Sequence, residues 1–240
     1  MIHDAHFHAG DFSLLNYLCD RHIPGIINAS SPQEYDLIKG KLPNDSKILI
    51  SAGIHPWDAA KSAWEIMLPI MEKASIIGEI GLDNVWCDAD QQLQYELFER
   101  SLAYASKTHK PVILHLKGRE KEALPLLRSY RNTYFVHWYS CDDYLDEYIE
   151  LDCYFSIGPS VNKDKAVQCT AKKVPLKRLL LESDGLSALT WCEQQSVDIT
   201  QYEAIMQRSI SCVEAIRGQA SIANCLNENL QRFITLARSN

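Results

Sequence analysis

The chain has 240 residues, of which 46% are hydrophobic and 23% are charged, a composition typical of a folded globular domain and not of a disordered chain. Its formal net charge is −7, which excludes the general basic field of a protein that coats nucleic acid. A polyanion would have to be bound locally, where metal ions could supply the positive charge.

Short runs rich in β-branched and aromatic residues alternate with longer segments of helical periodicity. Eight such runs predict strands, at residues 2–7, 25–29, 47–53, 75–78, 111–115, 133–137, 153–157 and 178–182. Helices are predicted between them, at residues 13–22, 58–73, 90–109, 119–130, 142–151 and 163–174. Residues 200–240 are predicted to be helical throughout, with Leu230, Phe233 and Leu236 among the side chains that pack against the rest of the domain.

This alternation is typical of βα units around a parallel sheet. Eight strands favour a closed TIM-type (β/α)8 barrel, with an open doubly wound sheet as the alternative. The chain length suits a single domain of residues 1–240, because α/β barrels of this size routinely form one domain. No repeat, low-complexity tract or flexible linker suggests a second domain.

The sequence also bears on the cellular compartment. No basic segment followed by an apolar stretch opens the chain, and no run of about 18 apolar residues occurs. We therefore expect a cytoplasmic protein with no membrane partner. The eight cysteines include no CxxC pair, so we expect reduced thiols and not a disulfide or zinc framework.

Histidine and acidic residues stand at the carboxyl ends of the predicted strands, namely His6, His8, Glu79, His115, His137 and Asp184. In a barrel these ends converge on one face, where the loops after the strands build the active site. A lone histidine at a strand end is most often structural. Four of them together with two acids indicate a metal site at this face.

The spacing of the first two histidines supports this interpretation. His6 and His8 are two residues apart, so on a strand their side chains point to the same side and can reach one ion together. Neutral imidazole binds zinc and similar ions, and a carboxylate such as that of Glu79 can bridge two ions. The residues therefore predict a site for two divalent metal ions, with Zn, Mg and Mn among the candidates.

Other histidines and acids have a different interpretation. His3 points away from His6 by strand alternation, and His22 and His109 lie on predicted helices, so all three are predicted to be structural. Asp4 and Glu182 alternate with candidate ligands on their own strands. Each is either a group that orients a ligand or a solvated cap.

Six segments occur in the order and approximate spacing seen in one family of hydrolases. They are Asp4-Ala-His-Phe-His8, Gly53-Ile-His-Pro-Trp57, Gly78-Glu-Ile-Gly-Leu-Asp83, Pro111-Val-Ile-Leu-His115, Phe135-Val-His137 and Leu181-Glu-Ser-Asp184. The stretches 92–103 and 227–233 agree as well. Over nearly its whole length the chain resembles the TatD-like metal-dependent hydrolases.

The resemblance implies an amidohydrolase-type TIM barrel and a deoxyribonuclease that requires divalent metal, with single-stranded or end-accessible DNA as its substrate. Carried over residue by residue, it implies one ion held by His6, His8, Glu79 and Asp184 and a second held by Glu79, His115 and His137. His55 matches a histidine near the substrate phosphate. We expect Asp184 to be the base that takes the proton of the attacking water, with Glu79 as a second catalytic residue.

The chain departs from the family pattern at two places. It has Gly185-Leu186 where the family usually has Ala-Pro, and it has Trp138-Tyr139-Ser140 where Cys or Ala, Phe and a small pair are common. Because the candidate ligands are unchanged, these departures bear on the pocket wall and the substrate more than on the metal chemistry.

Basic and aromatic residues follow several of the ligand strands. Two basic groups are predicted to rim the active face, namely Lys117, Arg119 and Lys121, and Lys163 and Lys165. Trp57, Trp86 and Trp138 could stack nucleobases. Solvated helix faces and ordinary packing explain these residues equally well.

Two rival functions remain open at this point. In the first, the same binuclear barrel cleaves a small phosphoester, amide or lactone, because fold and metal determine the nucleophile and not the substrate. In the second, the barrel is a catalytically idle subunit of a larger assembly. The presence of all six candidate ligands counts against the second.

Overall fold

Eight parallel strands form one sheet in which each strand pairs with the next one along the chain. A computed structural model describes residues 2–238. The strands are Asp4–His8 (β1), Gly25–Ala29 (β2), Ile48–Ala52 (β3), Ile76–Asp83 (β4), Val112–Lys117 (β5), Tyr134–Val136 (β6), Tyr154–Ile157 (β7) and Leu179–Leu181 (β8). With helices between the strands, this is a TIM-type barrel, and the predicted fold is confirmed.

Ten α-helices occur among the described residues, together with four short 3₁₀ turns. The helices are Ser13–Asp20 (α1), Pro32–Lys41 (α2), Trp64–Lys73 (α3), Gln91–Thr108 (α4), Glu120–Ser129 (α5), Leu145–Glu150 (α6), Lys165–Lys173 (α7), Leu186–Glu193 (α8), Tyr202–Arg217 (α9) and Ala223–Arg238 (α10). Over residues 2–238, none of these helices has the length and apolar character needed to cross a bilayer.

Inside the barrel, a layer of apolar side chains forms the floor of the site. Each strand contributes one residue to it, namely Ala5, Ile26, Leu49, Ile76, Ile113, Phe135, Tyr154 and Leu180. Side chains alternate along a strand, so the inward residue two positions further on belongs to the next layer. In four strands, and directly after β6 and β8, that residue is polar, namely Asn28, Ser51, His115, His137, Ser156 and Glu182. The functional layer therefore lies directly on an apolar floor.

The last helix closes the opposite end of the barrel. Leu230, Phe233 and Ile234 of α10 pack into the apolar floor layer. The ring of Phe233 lies 5.6 Å from that of Phe135 and 5.3 Å from that of Tyr154, both in edge-on contacts. The amino-terminal end of the barrel is thus filled by side chains of α10.

The joint between β8 and β1 is made by side chains as well as backbone. His3 Nε2 accepts the backbone N–H of Leu181 at 3.0 Å, and Asp4 Oδ1 accepts that of Ser183 at 2.9 Å. The backbone N–H of Asp184 donates to the carbonyl of His6 at 3.1 Å. These bonds place the turn after β8 against the end of β1, where the first candidate ligands lie.

Four expectations from the sequence are corrected by the structure. Strand β4 continues to Asp83, so Glu79 lies within it and not after it. The predicted helix at 58–73 is a 3₁₀ turn, Pro56–Asp58, followed by the shorter α3. Helices α2 and α8 were not predicted. The helical tail is interrupted after α9 at Gly218, which has the left-handed φ of 59°, and residues 239–240 of that prediction lie outside the described residues.

Candidate metal centre

The seven candidate site residues meet at the carboxyl ends of the strands. A cleft of about 840 Å³ is lined there by His8, His55, Glu79, His115, His137 and Asp184. His6 is completely buried behind them, with its Nε2 atom 3.2 Å from Glu79 Oε2. The fold therefore brings together all seven candidate side chains, although they are spread along the chain from His6 to Asp184.

One group of possible ligand atoms surrounds Glu79 Oε2. His8 Nε2 lies 3.0 Å from this oxygen, and His6 Nε2 lies 3.2 Å from it. Asp184 Oδ1 lies 3.3 Å from His6 Nε2 and 3.5 Å from His8 Nε2. Four atoms from β1, β4 and the turn after β8 thus face one small volume.

A second group surrounds the other oxygen of the same carboxylate. Glu79 Oε1 lies 2.9 Å from His137 Nε2 and 3.2 Å from His115 Nδ1. The two imidazole nitrogens lie 3.2 Å from each other. One carboxylate oxygen therefore faces each group, which is the arrangement that a bridging carboxylate requires.

The chemistry of these atoms fits divalent metal ions. Among the described residues, His6 Nε2, Glu79 Oε2 and Asp184 Oδ1 are buried without a hydrogen-bond partner, although they lie close together. Buried polar atoms without partners are energetically costly. Two ligands of one tetrahedral zinc ion lie about 3.4 Å apart, and the separations here are similar. Mixed imidazole and carboxylate ligands suit Zn and Mn in particular.

Asp83 fixes the orientation and the tautomer of the His115 imidazole. Asp83 Oδ2 lies 2.8 Å from His115 Nε2 and accepts the indole N–H of Trp57 at 2.6 Å. Because Nε2 donates to this carboxylate, the Nδ1 lone pair of His115 is directed at Glu79. Burial raises the pKa of Asp83, but its hydrogen bonds to His115 and Trp57 outweigh burial and hold that pKa below its ordinary value.

Glu182 has the corresponding position next to His137. Glu182 is fully buried, and its Oε1 atom lies 3.5 Å from His137 Nδ1. Of the two interpretations left open by the sequence, the solvated cap is therefore wrong. Burial lowers the pKa of His137, but the charges of Glu79 and Glu182 outweigh this effect and raise the pKa to about 9.

Asp4 is also buried, and it holds the turn that carries Asp184. Its carboxylate accepts the N–H of Ser183 at 2.9 Å, the Ser183 hydroxyl at 2.5 Å and the hydroxyl of Tyr202 at 3.0 Å. Asp184 and Gly185 follow with φ angles of 61° and 95°. An alanine at Gly185 would be strained at this φ, so the turn of this chain suits the glycine that stands where the family usually has alanine.

Glu79 is held through its backbone by a residue that the sequence did not indicate. Asn28 Oδ1 accepts the backbone N–H of Glu79 at 2.7 Å and the hydroxyl of Ser51 at 3.1 Å. Asn28 and Ser51 are both buried and belong to the polar layer that lies on the apolar floor. The central carboxylate is therefore fixed on a rigid element and not on a loop.

His55 has a hydrogen-bonding pattern unlike that of the other histidines. Its Nδ1 atom accepts the backbone N–H of Trp57 at 3.2 Å, so the proton of the neutral ring lies on Nε2. Nε2 faces Glu79 Oε1 at 3.8 Å, close enough for a ligand, but a protonated nitrogen cannot bind a metal ion. Burial and the charge of His115 lower the pKa of His55 to about 3. His55 is a neutral hydrogen-bond donor aimed at the cleft.

The charged groups of the centre shift one another's pKa. Burial raises the pKa of Glu79, but the charges of His137 and His6 outweigh burial and lower it well below its ordinary value. Burial likewise raises the pKa of Asp184, and the neighbouring histidines lower it to about 2. Both carboxylates are therefore ionised at neutral pH, as metal ligands must be.

The predicted basic rim is not found along this cleft. Lys117 donates to two oxygens of the 138–140 segment, Arg119 donates to a glutamine side chain, and Lys163 donates to a backbone carbonyl. Lys121 and Lys165 are exposed on helices. Among the described residues that line the cleft, none is Lys or Arg. Of the predicted basic residues, only Lys117 lines a neighbouring pocket at this face of the barrel.

Comparison with known proteins agrees with this geometry. The model of the family described as TatD related DNase matches residues 4–235. The chain belongs to this family. It is 27% identical over 163 residues to the uncharacterized metal-dependent hydrolase YabD of Bacillus subtilis, covering 63% of this chain and 60% of that protein. It is 29% identical over 148 residues to the 3'-5' ssDNA/RNA exonuclease TatD of Edwardsiella piscicida, covering 56% of each.

A solved structure confirms the fold over nearly all of the described residues. YJJV, a TatD homologue from Escherichia coli, superposes with a TM-score of 0.80 and 21% identity, covering 97% of both chains. The sequence alignments to YabD and the Edwardsiella exonuclease are shorter, because the chain spans 60% and 56% of those two proteins. The predicted TatD-like enzyme family and barrel are both confirmed.

Three residues at the site were not identified as functional from the sequence. Asp83 stands in a recognised segment, and alternation along β4 would have placed it inwards, but the predicted strand ended too early. Asn28 had no signal beyond its position two residues after a buried apolar residue. Trp191 lies on α8, which itself was not predicted.

Proposed function

We propose that this TatD-family metal-dependent hydrolase is a nuclease that cleaves phosphodiester bonds of single-stranded or end-accessible DNA at a binuclear metal centre. The observation that carries the proposal is the placement of Glu79. Its two carboxylate oxygens face two separate groups of ligand atoms, 3.0 Å from His8 on one side and 2.9 Å from His137 on the other. Paired metals are typical of enzymes that transfer phosphoryl groups.

His6, His8, Glu79 and Asp184 would hold one ion, and Glu79, His115 and His137 would hold the other. Bound divalent ions would lower the pKa of a water molecule and neutralise phosphate oxygens. Asp184, ionised and partly exposed in the cleft, accepts the proton of the attacking water. His55 donates its Nε2 proton to a phosphate oxygen. Asp83 and Glu182 keep His115 and His137 in the orientation that binding requires.

The relatives support a nucleic acid as substrate. The Edwardsiella protein is named as an exonuclease of single-stranded DNA and RNA, and the family that matches this chain is described as DNase.

All eight cysteines of this chain are free thiols, as expected in the reducing cytoplasm, where we place the enzyme.

The proposal is tested by hydrolysis of a labelled single-stranded DNA oligonucleotide with protein reconstituted with Zn, Mn or Mg. A Glu79→Ala variant, purified in the same way, serves as the control because it removes the shared ligand of both groups. We expect cleavage by wild type, about two metal ions per chain, and loss of both in the variant. Two bound ions without cleavage of DNA would rule out the nuclease and leave a hydrolase of another substrate.

The role of Asp184 has its own test. We expect Asp184→Asn to keep the fold and most of the metal but to lose at least about 100-fold in kcat, because proton transfer by a positioned base contributes that much or more. Metal content and kcat are measured on the same preparation. Equal kcat for the variant and wild type at equal metal content would contradict the assignment.

A second candidate function follows from the cleft lining. Because the described lining of the cleft contains no Lys or Arg, a small phosphoester, amide or lactone would bind there as readily as a nucleic acid. Turnover of a panel of such substrates, compared with that of the oligonucleotide, separates the two functions. An idle subunit is disfavoured because the set of ligand atoms is intact.

A further inference from the structure

A second pocket, of about 340 Å³, opens beside the candidate metal centre. It is walled by four of the protein's five tryptophans, namely Trp57, Trp86, Trp138 and Trp191. The pocket shares His115, His137 and Asp184 with the main cleft. A molecule that is cleaved at the metal centre could therefore place one of its own groups among the tryptophans.

The floor of this tryptophan pocket is rigid. Trp138 is 9% exposed, and its indole N–H donates to Ser160 Oγ at 2.9 Å while its backbone N–H donates to Ser156 Oγ at 2.8 Å. Its ring packs on Gly158, where even a Cβ atom would come within 2.8 Å. Trp57 is fixed through its bond to Asp83. A planar ligand would thus meet aromatic surfaces that are already in place.

The mouth of the pocket exposes two further indoles. Trp86 and Trp191 are 58% and 59% exposed, and their rings lie 6.1 Å apart. Lys163 Nζ lies 5.8 Å from the centre of the Trp191 ring. Two large aromatic side chains exposed together beside an active site are typical of a binding surface.

We propose that this pocket binds a single unpaired nucleobase, that of the nucleotide whose phosphate is cleaved; the inference rests on the proposed nuclease function. Every nucleobase has a flat face that stacks on indole rings. Besides the residues shared with the main cleft, the polar residues of the lining are Lys117, Ser140, Ser160 and Asp164, which offer donors and acceptors to the polar edge of a base. The volume of about 340 Å³ is at the lower end for small-molecule pockets, as suits a ligand group of the size of one base.

The two departures from the family pattern both contribute to this pocket. The first, Trp138-Tyr139-Ser140, supplies part of the floor and wall. The second, at Gly185, begins helix α8, which carries Trp191. The residues that set this chain apart therefore determine what it binds next to the centre, while the ligand set stays unchanged.

The experiment compares two short single-stranded oligonucleotides that differ only at one end, where one has an ordinary nucleotide and the other an abasic nucleotide. We expect kcat/KM of metal-loaded wild type to favour the ordinary end by about tenfold or more. Trp191→Ala should bring this ratio close to one, and Trp191→Phe should restore much of it. Leu37→Ala, an exposed apolar residue on α2, is the matched control and should keep the wild-type ratio.

A second measurement does not depend on cleavage. Titration of the metal-loaded protein with deoxyadenosine monophosphate should quench tryptophan fluorescence in a saturable way, whereas deoxyribose 5-phosphate should not. Trp191→Ala should weaken the nucleotide affinity about tenfold. Quenching without cleavage keeps the subsite and rejects the nuclease. Cleavage without quenching, or a ratio unchanged in Trp191→Ala, overturns the subsite.

Discussion

Histidine side chains serve two different purposes in this molecule, and His3 shows the one that is purely structural. It is 1% exposed, and its Nε2 atom accepts the backbone N–H of Leu181 at 3.0 Å. Its Nδ1 atom, 2.9 Å from Asn227 Oδ1, is then the donor to that amide. Both ring nitrogens are used, so the ring has to stay neutral. Burial accordingly lowers its pKa to about 4.

This arrangement predicts a pH dependence of stability. Because the pKa of His3 is about 4 in the fold and 6.5 when exposed, the unfolded chain binds the extra proton between these values. The contribution of neutral His3 to the free energy of unfolding is therefore fully present above pH 6.5. It falls by up to about 3 kcal/mol as the pH drops to 4.

Urea unfolding between pH 4 and pH 8, in the presence of a chelator, measures this effect. His3→Gln should reduce the slope by the share of His3 and leave that of His55, whose pKa is also lowered by burial. His22→Asn, at an exposed histidine with left-handed φ that asparagine tolerates, should keep the wild-type slope. Equal slopes for wild type and His3→Gln would show that other groups cause the pH dependence.

At the residue scale, the sequence indicated the candidate ligands because parallel strands leave their carboxyl ends on one face. His115 and His137 each stand two positions after an apolar floor residue, a period that can be read from the sequence alone. The partners of these histidines could not be predicted in the same way. Asp83 reaches His115 only because β4 and β5 pair in one particular register, Gly81 beside His115.

At the scale of elements, helix α10 closes one end of the barrel. Its side chains fill the amino-terminal end of the barrel, and Phe233 is completely buried against rings of β6 and β7. The floor formed in this way supports the functional layer from below. A defect in the floor should therefore cost stability first and reach the metal centre only indirectly.

We expect Phe233→Ala to reduce the free energy of unfolding by about 3–5 kcal/mol, because a buried ring is lost and a cavity remains. The sequence placed Leu236 on the same packing face, but it is 41% exposed. Leu236→Ala is therefore the matched control and should cost about 1 kcal/mol or less. Urea unfolding at fixed metal concentration measures both. Similar losses for the two variants would contradict this packing.

The elements that were not predicted have few buried apolar residues. Helix α2 buries only Tyr35 and Ile38, so its periodicity is weak, although Ser31 caps it through the N–H of Glu34 and Pro32 opens it. Helix α8 follows a left-handed turn at Asp184 and Gly185 that depends on contacts with β1. Local sequence signals describe the strands of this barrel better than the helices, because tertiary contacts determine where those helices begin.

At the scale of the whole molecule, the cleft and the tryptophan pocket adjoin each other, and their linings differ in chemical character. The main cleft is lined by acids such as Asp11 and Asp58 as well as by the candidate ligands. The tryptophan pocket is aromatic and contains Lys117. With a formal net charge of −7, the molecule attracts a polyanion weakly, and only the phosphate at the metal ions would be strongly bound.

This charge distribution predicts a shallow salt dependence. Each phosphate neutralised by Lys or Arg in a single-stranded complex contributes about −0.7 to the slope of log affinity against log salt. We expect a slope no steeper than about −1.5 for a single-stranded oligonucleotide, equivalent to about two contacts.

Fluorescence anisotropy with metal-loaded protein, across about 50 to 200 mM monovalent salt, measures the slope. Lys121→Ala and Lys165→Ala should leave it unchanged, since both lysines are exposed on helices away from the cleft lining. A slope of about −3 or steeper, made shallower by either substitution, would show that phosphates beyond the cleft are bound by surface lysines. The substrate would then be a longer strand held along the surface and not an end held by one phosphate and one base.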